Sequence, residues 1–282
     1  MNILTFDIEE WFHLLDNAST KTENQWGNYE SRIHRNMDRI FEVLEATNTK
    51  ASFFVLGWIA EKYPEVVQEI CDRGYEIGSH THLHQLVYQQ SKETFKQDVD
   101  RSIKTLEDIT GKKVTLFRAP GFSITEQNKW AFEVLYELGI TTDSSVFPSG
   151  RSHGGMPSYG VARPSILKYN GIQLKEFPIN THNIFRKEII YSGGGYFRLT
   201  PYNLLKKWTD KDDYVMSYIH PRDLDAEQPM ISELSLPRKF KSYVGLKNAK
   251  PKLEKWLTDF EFTDVKTANN QIDWETVKTI QL

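Results

Sequence analysis

The chain has 282 residues, a formal net charge of −3 and a sequence pI near 6.3. Hydrophobic residues make up 39% and charged residues 26%, as in an ordinary soluble globular protein, so disorder is excluded. The absence of a basic excess argues against a nucleic-acid partner. The single cysteine, Cys71, excludes an internal disulfide and fits a reducing compartment.

The amino terminus carries none of the features of a secretory signal. Residues 1–7 have no basic region, no long apolar run and no small-residue cleavage site. No window approaches the roughly 18 consecutive apolar residues that a membrane span requires. The sequence therefore predicts a cytoplasmic protein without a membrane span.

Hydropathy patterning predicts strands that alternate with helices. Short apolar runs bounded by polar residues indicate strands, and apolar residues at three- and four-residue spacings indicate helices. The predicted strands cover residues 2–7, 51–56, 75–79, 114–117, 140–143 and 214–219. The predicted helices cover residues 32–46, 64–71, 91–110, 126–138 and 202–208.

This alternation predicts an α/β fold with a parallel sheet, and the number of strands favours a barrel-like sheet over an open one. Residues 147–178 break the rhythm, because they are rich in Gly, Ser and Pro, and are interpreted as a long excursion that lines a site. No repeat or linker composition divides the chain, so we expect one domain over residues 1–282.

Polar residues cluster where the predicted strands end. In parallel α/β barrels, catalytic groups lie at the carboxyl ends of the strands. Five strand ends therefore contribute one ring of candidates, namely Asp7 and Glu9, His80 and His84, Arg118, Asp143, and His220.

The segment from His80 to His84 is a candidate metal site. Histidines four residues apart share one face of a helical turn and could bind one ion, whereas His82 would point away. In an extended segment all three histidines would share a face, and a histidine-rich surface loop is the alternative without metal. We prefer the pair, because the preceding Gly78 and Ser79 favour a strand that gives way to a turn.

Asp7 and Glu9 lie on one side of a strand, because they are two residues apart. Two carboxylates at the end of an apolar strand are costly unless they are paired or bind metal. Two histidines with one carboxylate would leave open positions on an ion, as catalysis requires, and the second carboxylate would be free to act as a base. A strand that runs into a solvated loop is the alternative for either carboxylate alone.

Five segments, in this order along the chain, resemble the motifs of the polysaccharide deacetylases (carbohydrate esterase family 4, the NodB-homology domain). They are Thr5-Phe6-Asp7-Ile8-Glu9, His80-Thr81-His82-Leu83-His84, Arg118-Ala119-Pro120-Gly121-Phe122, Asp143-Ser144-Ser145-Val146-Phe147 and Tyr218-Ile219-His220-Pro221. The resemblance covers residues 3–225 and leaves 226–282 as a C-terminal extension. It implies a distorted (β/α) barrel, expected to have seven strands.

The resemblance also implies roles for individual residues in amide hydrolysis. Asp7 would be the base and His220 the acid, while Arg118 would orient Asp7 and Asp143 would hold His220 in its charged form. The backbone N–H of Gly121 would stabilise the oxyanion. Contacts with the substrate would come from Thr81, Phe122 and Phe147.

One position departs from the family pattern. Many members have a second aspartate where this chain has Ile8, which cannot bind metal, so Glu9 becomes the third expected ligand beside His80 and His84. The spacing is that of a subgroup of the family with a D-x-E first motif. The run Asp7-Ile8-Glu9-Glu10-Trp11-Phe12-His13, together with Gly193-Gly194-Gly195-Tyr196-Phe197-Arg198, resembles the polysaccharide-biosynthesis deacetylases. The expected cofactor is Zn²⁺, with Fe²⁺, Co²⁺ or Ni²⁺ as alternatives.

The expected activity is removal of an N-acetyl group from an amino sugar. An O-acetyl esterase or a cyclic-amide hydrolase on the same scaffold is one alternative, and a carbohydrate-binding protein without catalysis is another. The sequence indicates a carbohydrate partner. It does not determine the oligomeric state. Arg222 and Asp223 are expected to contact a polar substrate.

Several aromatic and histidine residues have no assigned role. Four aromatic residues could either form a wall on which a sugar stacks or pack in the core. They are Trp11, Phe12, Tyr196 and Phe197. The remaining histidines are interpreted as surface or packing residues: His13, His34, His153 and His182.

Overall fold

A computed structural model describes residues 1–15, 17–150, 154–184 and 187–282. The strands are β1 (Asn2–Ile3), β2 (Thr5–Ile8), β3 (Ser52–Val55), β4 (Glu76–Ser79), β5 (Leu116–Phe117), β6 (Thr142–Asp143), β7 (Ser165–Tyr169), β8 (Ile172–Glu176), β9 (His182–Ile184), β10 (Lys187–Ile189), β11 (Val215–Met216) and β12 (Thr279–Gln281). The helices are α1 (Glu23–Trp26), α2 (Ile33–Thr47), α3 (Gly57–Lys62), α4 (Pro64–Asp72), α5 (Lys92–Thr110), α6 (Trp130–Glu137), α7 (Gly194–Leu199), α8 (Tyr202–Lys211), α9 (Leu236–Tyr243), α10 (Ala249–Asp259) and α11 (Val265–Gln271).

A row of parallel strands forms the centre of the fold. Strands β2, β3, β4, β5, β6 and β8 pair in that order, and β1 pairs with β11 on the other side. With β1 and β2 counted as one strand, the row has the seven strands that were predicted. The α/β class and the distorted barrel are confirmed.

The two ends of the row, β8 and β11, are joined through the side-chain amide of Asn180. Asn180, just after β8, accepts a hydrogen bond from the backbone N–H of Met216 in β11 (3.0 Å) and one from Ser192 Oγ (3.1 Å). An amide oxygen has two lone pairs, so it can accept both bonds. The barrel is therefore distorted at this seam.

The excursion predicted for residues 147–178 is wrong in its second half. Strands β7 and β8 form an antiparallel hairpin there, and β8 joins the main sheet beside β6. The missed signal is Asn170-Gly171, whose backbone φ values of 44° and 84° suit the tight turns that join hairpin strands.

Helix boundaries follow their capping residues. Ser91 Oγ accepts a hydrogen bond from the backbone N–H of Thr94 at the start of α5, and Gly111, with φ 64°, ends the helix. No helix among the described residues is long and apolar enough to cross a bilayer.

The C-terminal extension packs onto the barrel through a buried tryptophan. Trp256 of α10 is fully buried between the rings of Phe197 (5.4 Å) and Phe262 (4.7 Å), and its indole N–H donates to Thr209 Oγ1 (2.9 Å). It belongs to the same apolar cluster as Phe6 of β2. We therefore propose that residues 1–282 unfold as one unit.

Replacement of Trp256 by alanine tests this proposal. We expect Trp256→Ala to lower the free energy of unfolding by about 3–5 kcal/mol, because it leaves a large cavity and removes the hydrogen bond to Thr209 Oγ1. Denaturant unfolding followed by circular dichroism should keep a single transition. Phe240→Ala, at a ring that is 61% exposed, is the control and should have little effect. Two separate transitions would contradict the proposal.

Candidate active site

The predicted ring of strand-end residues surrounds a cleft of about 390 Å³. Nine of the residues expected to act in catalysis, metal binding or substrate contact line it: Asp7, Glu9, His80, His84, Gly121, Phe122, His220, Arg222 and Asp223. Arg198, which was not predicted, lines it as well. The carboxyl ends of the parallel strands meet at this edge, which explains how residues distant in sequence converge.

Asp7 is held by a fully buried arginine. Arg118 Nη1 donates to Asp7 Oδ1 (2.7 Å) and to Thr5 Oγ1 (2.7 Å), and its Nη2 donates to Ser144 Oγ (2.9 Å). The guanidinium also stacks 4.0 Å from the centre of the Phe54 ring. These contacts fix the arginine, and the arginine in turn fixes the orientation of the Asp7 carboxylate.

Glu9, His80 and His84 form a cluster that could hold a metal ion. Each offers one ligand atom, and these atoms lie within 4.8 Å of one another. His80 Nδ1 lies 2.8 Å from the carbonyl oxygen of Arg118. A carbonyl only accepts, so Nδ1 carries the proton and Nε2 keeps its lone pair for a ligand.

The buried carboxylate of Glu9 supports the same interpretation. Its Oε2 lies 2.7 Å from His84 Nε2 but has no hydrogen-bond partner among the described residues. Burial raises the pKa of Glu9, but the neighbouring His84, His220 and His13 outweigh burial and lower this pKa to about 2. Two histidines and a charged carboxylate that lies against them fit a divalent cation.

The loop that joins His80 to His84 is not the predicted helical turn. Thr81 and His84 have φ values of 67° and 54°, which side chains rarely adopt. Thr81 Oγ1 accepts a hydrogen bond from the backbone N–H of His84 (3.2 Å) and does not line the cleft. The expected substrate contact of Thr81 is therefore wrong, because its hydroxyl stabilises the loop.

His82 points away from the cluster, as expected, and is buried near Glu61. Its backbone N–H donates to Asp98 Oδ2 (2.7 Å), and the N–H of Leu83 donates to Asp98 Oδ1 (3.0 Å). Asp98 of α5 therefore holds the middle of the loop while its two ends face the cleft.

His220 has a different carboxylate partner from the one predicted. Its Nδ1 lies 3.0 Å from Asp223 Oδ2, and Asp223 Oδ1 lies 2.8 Å from Arg198 Nε. Burial lowers the pKa of His220, but Asp223, Glu9 and Asp7 outweigh it and raise this pKa to about 9. The imidazole is therefore charged at neutral pH, with Nε2 3.9 Å from Asp7 Oδ2 and 3.8 Å from Glu9 Oε1.

Asp143 does not hold His220. It is fully buried, and Ser145 donates to it through the hydroxyl (2.6 Å) and the backbone N–H (3.1 Å). The Ser145 hydroxyl in turn accepts from the backbone N–H of Ala119 (2.8 Å). Glu176 faces Asp143 on the neighbouring strand β8. The predicted role is wrong, because the carboxylate anchors the segment that carries Arg118.

Gly121, the expected oxyanion residue, lines the cleft. It has φ 61°, which favours glycine, and a Cβ there would lie 2.7 Å from Leu15 Cδ1, so that the Leu15 side chain would have to shift. Its backbone N–H makes no hydrogen bond to the described residues. This N–H remains available to a ligand in the cleft.

The aromatic side of the cleft differs from the prediction. Phe122 and Tyr218 line it, with ring centres 5.0 Å apart in an edge-to-face arrangement. Phe147 does not line the cleft; it packs with them in an apolar cluster that includes Phe54 and Tyr214. The lining therefore gives no support to the substrate contact expected of Phe147, and Phe122 and Tyr218 line the cleft instead.

The structure distinguishes between the two interpretations of the other aromatic residues. Trp11, Phe12 and Phe197 are buried in the core, whereas Tyr196 is 49% exposed and lines the cleft. A sugar-stacking wall of all four is therefore wrong.

The unassigned histidines also separate. His34 is exposed beside Glu65 and His182 contacts Asp212, whereas His153 lies outside the described residues. His13 is buried and lines the cleft, and its Nδ1 accepts from the backbone N–H of Glu10 (3.2 Å). His13 follows the first motif closely in sequence, and that position is the signal that could have pointed to it.

Comparisons with known proteins agree with this architecture. Residues 4–142 match the family model of the polysaccharide deacetylases, and residues 144–270 match a domain of unknown function, DUF3473. The chain is 33% identical over 96 residues to a peptidoglycan-N-acetylglucosamine deacetylase of Bacillus cereus, covering 34% of this chain and 35% of that protein. It is 33% identical over 91 residues to a peptidoglycan-N-acetylmuramic acid deacetylase of Bacillus subtilis, covering 32% and 19%.

The chain thus spans about a third of the length of the first relative and less of the second. Among solved structures, it resembles a protein of the polysaccharide deacetylase family from Mycobacterium smegmatis (TM-score 0.68, 17% identity, 100% of this chain and 92% of that one). It also resembles a variant of a carbohydrate esterase family 4 pseudoenzyme with restored activity (TM-score 0.50, 14% identity, 99% and 69%). Residues 4–142 therefore belong to the polysaccharide deacetylase family, and the chain as a whole has the fold of that family.

Proposed function

We propose that the protein is a divalent-metal-dependent hydrolase that removes N-acetyl groups from an amino sugar of a polysaccharide or its precursor. One observation carries the proposal, the convergence of two differently held groups on the Glu9, His80 and His84 cluster. Arg118 donates a hydrogen bond to Asp7, and Asp223 keeps His220 protonated. A base and an acid beside the same water-activating cluster suit amide hydrolysis. The deacetylase names of the two relatives support the same reaction.

The base is assigned to Asp7. A divalent ion held by Glu9, His80 and His84, with Zn²⁺ as our first choice, would supply Lewis-acid activation of water and of the acetyl carbonyl. Asp7 Oδ1 is engaged by Arg118, which leaves Oδ2 to receive the proton of the attacking water. The charge that develops on the carbonyl oxygen is stabilised by the backbone N–H of Gly121.

The acid is assigned to His220. An amine is a poor leaving group until its nitrogen is protonated, and His220 Nε2 faces the cleft as the donor. The hydrogen bond from Nδ1 to Asp223 fixes the ring and keeps the charged form. After the carbon–nitrogen bond breaks, the products are acetate and the free amino sugar.

Acetate release tests the reaction and its base. We expect the metal-loaded protein to release acetate from N-acetylated amino sugars, and Asp7→Asn to lower kcat at least about a hundredfold, because an amide cannot accept the proton. Metal content and the thermal unfolding temperature of Asp7→Asn serve as controls. Release from O-acetylated sugars alone would favour an esterase, and binding of amino sugars without release would favour a carbohydrate-binding protein.

Metal titration tests the ligand assignment of Glu9. We expect Glu9→Gln to weaken Zn²⁺ binding at least about tenfold, because a neutral amide replaces the only carboxylate ligand. Glu10→Gln is the matched control: Glu10 is buried next in sequence but accepts hydrogen bonds from Ser31, Arg32 and Ile33 outside the cluster. Equal Zn²⁺ affinity of Glu9→Gln and the wild type would refute the assignment.

The pH profile tests the hold of Asp223 on His220. The pKa of His220 is raised to about 9, so the charged acid is present below that pH and is lost as the pH rises through it. Asp223→Asn removes the partner carboxylate and should move the alkaline limb of kcat to lower pH. Asp143→Asn, which does not touch His220, should leave the position of that limb unchanged. The opposite pattern would restore Asp143 as the partner.

A further inference from the structure

Arg222 is a buried arginine on the wall of the cleft and is not used by the proposed reaction. It is 6% exposed, and among the described residues no carboxylate forms a salt bridge with it. The carboxylate of Asp223, its neighbour in sequence, is engaged by Arg198 and His220 instead. Arginine is almost never buried without an ionic partner, because removing its charge from water is costly.

Two hydrogen bonds hold the guanidinium of Arg222 in place and leave some of its N–H donors free. Its Nε donates to Gln228 Oε1 (3.1 Å), and its Nη2 donates to the carbonyl oxygen of Ser242 (3.3 Å). The group also lies 5.7 Å from the centre of the Tyr243 ring. A guanidinium has five N–H donors, and two are used in these bonds. The remaining donors form a fixed fork of the kind that binds carboxylate or phosphate.

The charged residues that line the cleft also favour an anionic ligand. The carboxylates of the lining are Asp7, Glu9 and Asp223, and each is already engaged, by Arg118, by the histidines and by Arg198 respectively. Lys241 of α9 lines the rim and is exposed to solvent. The chain as a whole has a net charge of −3, so this cationic wall is a local feature.

Helix α9 sets the position of this wall. The carbonyl oxygens of Lys241 and Val244 accept from Arg198 (3.0 and 2.7 Å), and that of Ser242 accepts from Arg222. The last turn of a helix has free carbonyls and negative partial charge, which suits two arginines. The same contacts therefore anchor α9 beside the cleft and present Lys241 at its edge.

We propose that Arg222 and Lys241 form an anion subsite, which binds a carboxylate or phosphate group carried by the amino sugar substrate near its acetamido group. This inference rests on the proposed function and specifies its substrate class as anionic amino sugars. The substrate anion supplies the ionic partner that buried Arg222 lacks. Lys241 attracts the same group from the rim.

Turnover of charged and neutral substrates tests the subsite. The metal-loaded protein is assayed for acetate release from N-acetylglucosamine 1-phosphate, from N-acetylmuramic acid and from the neutral methyl glycoside of N-acetylglucosamine. We expect kcat/KM to be higher for at least one of the two anionic compounds, and the better one identifies phosphate or carboxylate as the preferred group.

Variants show whether this preference depends on the two side chains. Lys241→Gln should lower the ratio of anionic to neutral kcat/KM about fivefold, as expected for an exposed charge. Lys239→Gln on the same helix removes an equal charge outside the cleft lining and should leave the ratio unchanged. Arg222→Lys, which keeps the charge but loses the fork, should lower the ratio as well. Arg222→Gln should lower it further, by roughly thirtyfold where the variant folds.

Product binding separates failure of this inference from failure of the proposed function. Calorimetry compares glucosamine 1-phosphate with glucosamine on the wild type and on Lys241→Gln. Tighter binding of the phosphate compound that Lys241→Gln weakens supports the subsite even where no substrate releases acetate. Equal kcat/KM for neutral and anionic substrates, together with equal binding of the two products, would overturn the subsite and leave the deacetylase proposal standing.

Discussion

The buried guanidinium of Arg118 is the interaction on which the rest of the site depends. Its side chain binds Asp7 and Thr5 of the first strand and Ser144 beyond β6, while its backbone carbonyl fixes the proton on His80 Nδ1. One residue thus holds the carboxylate of the proposed base in place and determines which nitrogen of a proposed ligand stays free. The cost of burying the Arg118 charge is offset by a carboxylate, two hydroxyls and an aromatic ring. We therefore expect that no other residue type can replace arginine at this position.

A second ion pair organises the opposite side of the cleft. Asp223 joins His220 to Arg198, and Arg198 is held by carbonyl oxygens at the end of α9. The proposed metal ligands therefore come from the half of the chain that matches the polysaccharide deacetylase model, whereas the proposed acid and its supports come from residues 144–270. Neither half alone contains a complete acid–base site.

Sequence patterns predicted the features that follow from strand geometry. Asp7, His80 and Arg118 meet because parallel strands place their carboxyl ends at one edge, and the apolar runs located those ends. The hairpin of β7 and β8 was missed because its turn signal, Asn170-Gly171, lies inside a segment whose composition resembles a loop.

The partners of individual side chains were harder to predict. Asp143 ends a strand as expected, but its carboxylate is taken by the adjacent Ser145, and this local contact is invisible to motif order. Asp223, three residues after His220 at the start of a short helical turn, is the partner that the spacing could have revealed. The sequence pattern located the strand ends, but it did not determine in which direction the side chains at those ends point.

The central claim is that Glu9, His80 and His84 bind one divalent ion between the proposed base and the proposed acid. Anomalous X-ray diffraction from crystals loaded with Zn²⁺, recorded on both sides of the zinc absorption edge, tests it most directly. The account predicts one peak within ligand distance, about 2.0–2.2 Å, of Glu9, His80 Nε2 and His84. A peak bound by other residues, or an ion that Glu9 does not reach, would contradict it.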